Sequence, residues 1–272
     1  GNTATATYDG NSHSVEGYTV DSISNPLYVQ ANIRFTGNAK AEGIAAGEYP
    51  MNLTSAQFSN ANTNFANVKF TVTDGYLTIN PKSINPEDEK TGIKVTKPND
   101  TMYNGEEQKN KPTVTDSKTG KTLTEGKDYT LSYSKDVTNA GKVEVTITGI
   151  GNYEGTANTS YQITKRNVTL TSGTASKVYD KTPLAKDEVT VSGDGFVKEE
   201  GATCNVTGSQ TEVGSSKNKF TYALKSNTKA SNYNITKVEG DLIVTSQDGE
   251  VVVTITGHKD TFEYDGTEKS VN

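Results

Sequence analysis

Asp128-Tyr129-Thr130-Leu131-Ser132-Tyr133 is followed by Asn139-Ala140-Gly141, and then by Lys142-Val143-Glu144-Val145-Thr146-Ile147. In both runs apolar and polar side chains alternate. That period of two belongs to a strand with one face on a core and the other in water. Asn-Ala-Gly between them supplies the dihedral freedom for a reversal, so the stretch predicts an antiparallel pair. Gly149-Ile150-Gly151-Asn152-Tyr153-Glu154-Gly155 turns the chain again, into a strand carrying Tyr161 and Ile163. The pattern predicts β structure.

Outward from this stretch the same order of events recurs. Tyr103-Asn104-Gly105 precedes it, and Tyr8-Asp9-Gly10, Tyr179-Asp180-Lys181 and Tyr264-Asp265-Gly266 are its counterparts; successive copies lie 95, 76 and 85 residues apart. Ala46-Gly47 and Val213-Gly214 stand where Ala140-Gly141 does. Asn232-Tyr233 matches Asn152-Tyr153, and Asn64-Phe65 matches less closely. Landmarks kept in register at domain-sized spacing mark a repeat. The expected organisation is one module over 1–82 that lacks its opening strand, a second over 83–165, a third over 166–246 and the start of a truncated fourth over 247–272. Asn80-Pro81-Lys82-Ser83-Ile84-Asn85-Pro86 reads as a linker, because two prolines remove two backbone donors and fix φ.

The expected fold class is all-β: small antiparallel β-sandwich modules in tandem, end to end. The alternative is a small open sheet plus one short helix per module, for which residues 55–67, rich in Asn and Ala, leave room. Val68, Phe70 and Val72 are expected to share one face of a strand, with Thr73-Asp74-Gly75 turning into Leu77 and Ile79. Val251, Val253 and Ile255 predict a further strand. An orphan strand at one end and a free edge at the other invite strand exchange, within the chain or between molecules.

Composition narrows the function. Apolar residues make up 31%, which suits thin sandwiches more than one large globule. The formal charge is −6, and among 27 basic residues only Arg34 and Arg166 are arginine. With no basic stripe for phosphates, nucleic acid is not an expected partner. No run of about 18 apolar residues predicts membrane insertion. Neither a signal peptide nor a sorting tail is recognisable, so both are expected outside this stretch if the protein is exported. Cys204 is the single cysteine, which rules out a disulfide within the chain. A cysteine-poor, Thr-, Asn-, Gly- and Lys-rich β protein without Trp points to a Gram-positive-like bacterial exterior.

No chemistry-bearing motif stands out. His13 and His258 are the only histidines and fall at non-equivalent positions, so neither zinc spacing nor a nucleophilic triad is expected. Glu87-Asp88-Glu89 and Ser192-Gly193-Asp194-Gly195 lack the alternation that wraps calcium. The 14 tyrosines fall largely at repeated positions that suit packing. Tyr28 and Tyr49, found in the first module only, are the candidate binding residues for a glycan or host protein. Lys69 and Lys142 are the lysines considered for an isopeptide crosslink, although their phase on the strands is polar-facing.

Taken together, the Tyr-Asp-Gly motifs and the Asp128–Gly155 series resemble tandem repeats of bacterial cell-surface adhesins. The motifs are similar to the MBG and YDG types, and the series is similar to Ig-like modules of clostridial surface proteins. The third copy departs from the pattern, with Lys181 in place of glycine. The resemblance implies an exported, cell-wall-associated parent and brings no catalytic residue and no cofactor. The function expected is a non-catalytic stalk or spacer. The alternatives are an adhesin module binding glycan or host protein, and accessory domains of a large secreted glycoside hydrolase.

Overall fold

The structure, a computed structural model, describes residues 1–271 and is all-β: 24 strands and three short 3-10 turns, with no α-helix among the described residues. The stretch that decides the fold forms Tyr129–Tyr133 paired antiparallel with Gly141–Gly149, Tyr133 opposite Val145. Val143, Val145 and Ile147 are buried while Lys142 and Glu144 are exposed, as the alternation requires.

Two compact units divide the chain: Gly1–Arg166 with Lys229–Asn234, and Asn167–Thr228 with Ile235–Asn272. In the first unit Tyr76–Asn80 lies between Thr3–Thr7, which runs parallel to it, and Gly47–Pro50, which runs antiparallel. Further along, Thr156–Thr164 lies between Thr101–Met102, parallel, and Gly141–Gly149, antiparallel. In the second unit Asp241–Thr245 lies between Ala175–Val178, parallel, and Gly214–Lys217, antiparallel. The registers coincide as well. Gly47 faces Ile79, Gly141 faces Ile163 and Gly214 faces Val244, and these glycines share φ near +150° at 154°, 156° and 145°.

The Tyr-Asx motif closes each of these sheets in one way. The amides of Tyr8, Tyr103 and Tyr179 donate to the carbonyls of Asn80, Thr164 and Thr245 at 2.8–2.9 Å. Each following Asx side chain then accepts the amide two residues on: Asp9 from Asn11, Asn104 from Glu106, Asp180 from Thr182 and Asp265 from Thr267, at 2.9–3.1 Å. That Asx-turn puts the middle residue in the left-handed region, where glycine meets no Cβ penalty. Gly10, Gly105 and Gly266 sit at φ 83°, 85° and 75°, and Lys181 keeps the same conformation at 67°.

Three expected elements differ. Residues 55–67 hold one 3-10 turn, Ser55–Gln57, and the short strand Phe58–Asn60, so the sheet-plus-helix alternative finds no helix here. By its place after a 3-10 turn, Gln57-Phe58 rather than Asn64-Phe65 is the counterpart of Asn232-Tyr233. Val68, Phe70 and Val72 keep their alternating burial but form no strand. Both edges of the adjoining Tyr76–Asn80 are already taken, and the Asp74 carboxylate instead accepts the amides of Asn52, Leu53 and Gly75. Residues 251–255 likewise form no strand: Val251, Val253 and Ile255 are exposed, with neither a ladder nor a face to cover them.

The apolar cluster of the first unit runs through the Pro81 segment without a break, joining Tyr8, Leu77 and Ile79 to Ile84, Val114, Ile147 and Tyr153. The second unit buries Val168, Leu170, Phe220, Leu242 and Val244. A lysine held left-handed costs about 1–2 kcal/mol, of which glycine's chain entropy returns part. Lys181→Gly is therefore expected to stabilise the second unit by about 0.5–1 kcal/mol. Gly105→Ala should destabilise the first by about 1 kcal/mol, both read from urea midpoints at unchanged m-value.

Candidate functional site

The first unit contains a joint built twice. At the C-terminal end of Tyr76–Asn80, Tyr8 stands on one side and Ala46 on the other. Tyr8 meets Tyr153 edge-on, ring centroids 5.6 Å apart and planes at 78°, and the Ala46 amide donates to Asn152 Oδ1 at 2.8 Å. At the end of Thr156–Thr164, Tyr103 meets Tyr233 at 5.7 Å and 85°, and the Ala140 amide donates to Asn232 Oδ1 at 2.9 Å. One Asn-Tyr dipeptide thus serves both halves of each joint. The amide oxygen satisfies a turn N–H that would otherwise be orphaned, and the ring covers the motif tyrosine. Tyr8 and Tyr103 are 5% and 4% exposed as a result.

Beneath the first joint lies a buried ion pair. Lys82 and Ser83 form a short parallel pairing with Tyr153 and Glu154, which draws the lysine side chain inward. Its Nζ reaches both Asp116 oxygens at 2.8 Å, and the Tyr153 hydroxyl donates to Asp116 Oδ2 at 3.0 Å. Lys118 and Thr119 amides complete the shell of Asp116, which is fully buried. Burial pushes this carboxyl up, but the bonds from Lys82, Thr119 and Tyr153 outweigh it and hold it below the ordinary carboxylate value. Burial, then the Asp116 charge, pushes the Tyr153 phenol well above its usual value. Every polar atom here is matched, so the cluster locks the Pro81 segment to the sheet edge.

The sequence-predicted candidates fall elsewhere. Tyr28 is buried, its ring edge-on to Phe65 at 5.3 Å and its hydroxyl 3.1 Å from the Asn32 carbonyl and from Asn60 Oδ1. Tyr49 is half-buried, bonds to the Ala45 carbonyl at 2.9 Å and lies over Gly43, where any Cβ would strike its ring. The two are not brought together.

Of the motif positions, Tyr179 is half-buried, Asp180 binds Lys177 at 2.7 Å, and Tyr264 is 99% exposed. Lys177 and then Thr182 hold the Asp180 carboxyl well below its usual range. Lys69 and Lys142 are exposed, the latter paired with Glu144. His13 bonds to Asp9 at 3.0 Å, and His258 is exposed. Burial pushes the Cys204 thiol up, away from the reactive thiolate. Among the described residues no three His, Cys, Asp or Glu side chains could hold a metal, and no helix is long and apolar enough to cross a membrane.

Sequence reasoning passed over Lys82 and Asp116. Lys82 hid between prolines in a presumed linker. Asp116 carried a signal, since it shares the strand phase of buried Val114.

Removing one partner of a buried pair strands the other charge. Asp116→Asn or Lys82→Met is expected to cost about 3–5 kcal/mol, and the double variant Lys82→Met/Asp116→Leu to recover most of it. Because the Asp116 value is lowered in the folded state, its contribution is complete above about pH 4 and is lost as pH falls through the folded value. Acid titration of unfolding should show that loss in the wild type and not in the double variant. No family model matches the chain, and no curated protein matches it.

Proposed function

We propose that the chain is a non-catalytic, load-bearing spacer of a bacterial cell-surface or secreted protein, built from Ig-like modules. The observation that carries this reading is the parallel pairing, in each repeat, of the strand that runs into the Tyr-Asx turn with the closing strand: Thr3–Thr7 with Tyr76–Asn80, Thr101–Met102 with Thr156–Thr164, Ala175–Val178 with Asp241–Thr245. Pulling the start of the first strand of such a pair away from the end of the second loads the parallel ladder in shear, so its hydrogen bonds share the force instead of opening one at a time. The resemblance of the Tyr-Asx-Gly repeat to surface adhesins and the Lys-, Thr- and Asn-rich composition support the exterior setting.

A second reading, an adhesin module for a protein partner, is favoured by one feature: Leu27 and Val29 are 78% and 52% exposed on either side of buried Tyr28. Single-molecule stretching separates the two. A spacer should extend in discrete steps of about 250–330 Å for repeats spaced 76 to 95 residues. The repeat with two parallel pairs should yield before those with five and four. Gradual extension without steps would overturn the spacer. Saturable binding to a host-protein panel, lost in Leu27→Ser/Val29→Ser, would favour the adhesin.

A further inference from the structure

The second unit presents one half of the same joint with nothing seated on it. Tyr179 and Val213 flank the C-terminal end of Asp241–Thr245 as Tyr8 and Ala46 flank Tyr76–Asn80, with Gly214 opposite Val244 and the Tyr179 amide on the Thr245 carbonyl. The Gln247 side chain donates to the Tyr179 carbonyl at 2.7 Å, just as Arg166 does to the Tyr103 carbonyl at 3.3 Å. Yet where Tyr8 and Tyr103 are buried, Tyr179 is half-buried. Ala46 and Ala140 are half-buried, whereas Val213 is 54% exposed. The Val213 side chain and part of a phenol ring therefore face water around a turn whose equivalents are covered twice over in the same chain.

We propose that this end of the second unit is an acceptor for the Asn-Tyr turn of a module of this same β design, next in line on the polypeptide. The asparagine amide oxygen accepts the Val213 N–H. The tyrosine ring seats edge-on to Tyr179, and the turn covers Val213. The occupant follows from continuity with the two joints already formed, which use an identical dipeptide on equivalent positions. The chain's own turns cannot fill it, because Asn152-Tyr153 and Asn232-Tyr233 are engaged, and the first repeat has Gln57-Phe58, whose glutamine is spent on the Thr54 amide. The joint is independent of the spacer reading: it would stand if the chain proved to be an adhesin.

The test fuses a second copy of residues 82–166 after Ser246, placing Lys82 where Gln247 stands. Hydrogen exchange is then followed at residues 177–181 and 211–214. The joints at 44–47 and 138–141 in the same molecule supply the calibration. Exchange at 211–214 is expected to slow at least about tenfold relative to the 272-residue chain, approaching those two segments. Asn152→Ala in the added copy alone should restore the original rate. Unchanged exchange beside a folded added copy overturns the proposal. So does an added copy that stays unfolded, since the same sequence folds when seated on the Tyr8 end. Slowing that rises with protein concentration in the unextended chain would also overturn it, assigning the surface to a second molecule.

Discussion

A strand has two hydrogen-bonding edges, and in each repeat both edges of the closing strand are spent. The strand that runs into the Tyr-Asx turn takes one edge in parallel and the strand after the Xaa-Gly turn takes the other in antiparallel register. This saturation decides what neighbouring segments can become. Val68, Phe70 and Val72 have the alternation of a strand, but the adjoining Tyr76–Asn80 has no edge left for them. They lie alongside with their apolar side chains tucked in, and the amides around the Asp74 turn are satisfied by its carboxylate. The parallel partner also fixes where the Tyr-Asx turn begins, because the tyrosine amide is the last rung of that ladder.

From that rung the rest of the first unit follows. The Asx side chain bends the backbone, the residue after it goes left-handed, and the tyrosine ring is left projecting from the end of the sheet. A ring and an N–H displayed together make a shallow receptor, and an Asn-Tyr turn is its complement. Both surfaces are made by turns rather than by strand faces, so each repeat keeps its own sheet while its end is covered by another segment. The Lys82–Asp116–Tyr153 cluster then ties the receptor's ligand to the chain leading into it: the same tyrosine that covers Tyr8 also bonds Asp116.

The alternating runs were legible without coordinates: Tyr129–Tyr133 and Gly141–Gly149 lie where their pattern puts them. So were the turn positions, since Gly, Asn and Asp announce dihedral requirements locally. What the alternation at 68–72 and 251–255 does not carry is whether an edge is free, because that depends on strands tens of residues away. The tyrosines teach a similar lesson. Tyr28 looked unexplained because its partner Phe65 is set by loop geometry, and Tyr49 because Gly43 lies on a separate strand. Tyr153, which does the joining, looked like one more packing ring. Lys82 was hidden by its prolines, although Asp116 in the phase of Val114 asked for a buried cation.

The segment after Pro81 carries one more consequence. Lys82 and Ser83 are laddered to Tyr153 and Glu154, Ile84 is fully buried, and the lysine head sits against Asp116 out of water. Chain held in this way offers a protease no slack backbone to thread through an active site. Side chains return to solvent only from Glu87 onward. An insertion placed after Pro81 would pull the ammonium from its carboxylate rather than add reach, so the connection transmits strain instead of absorbing it.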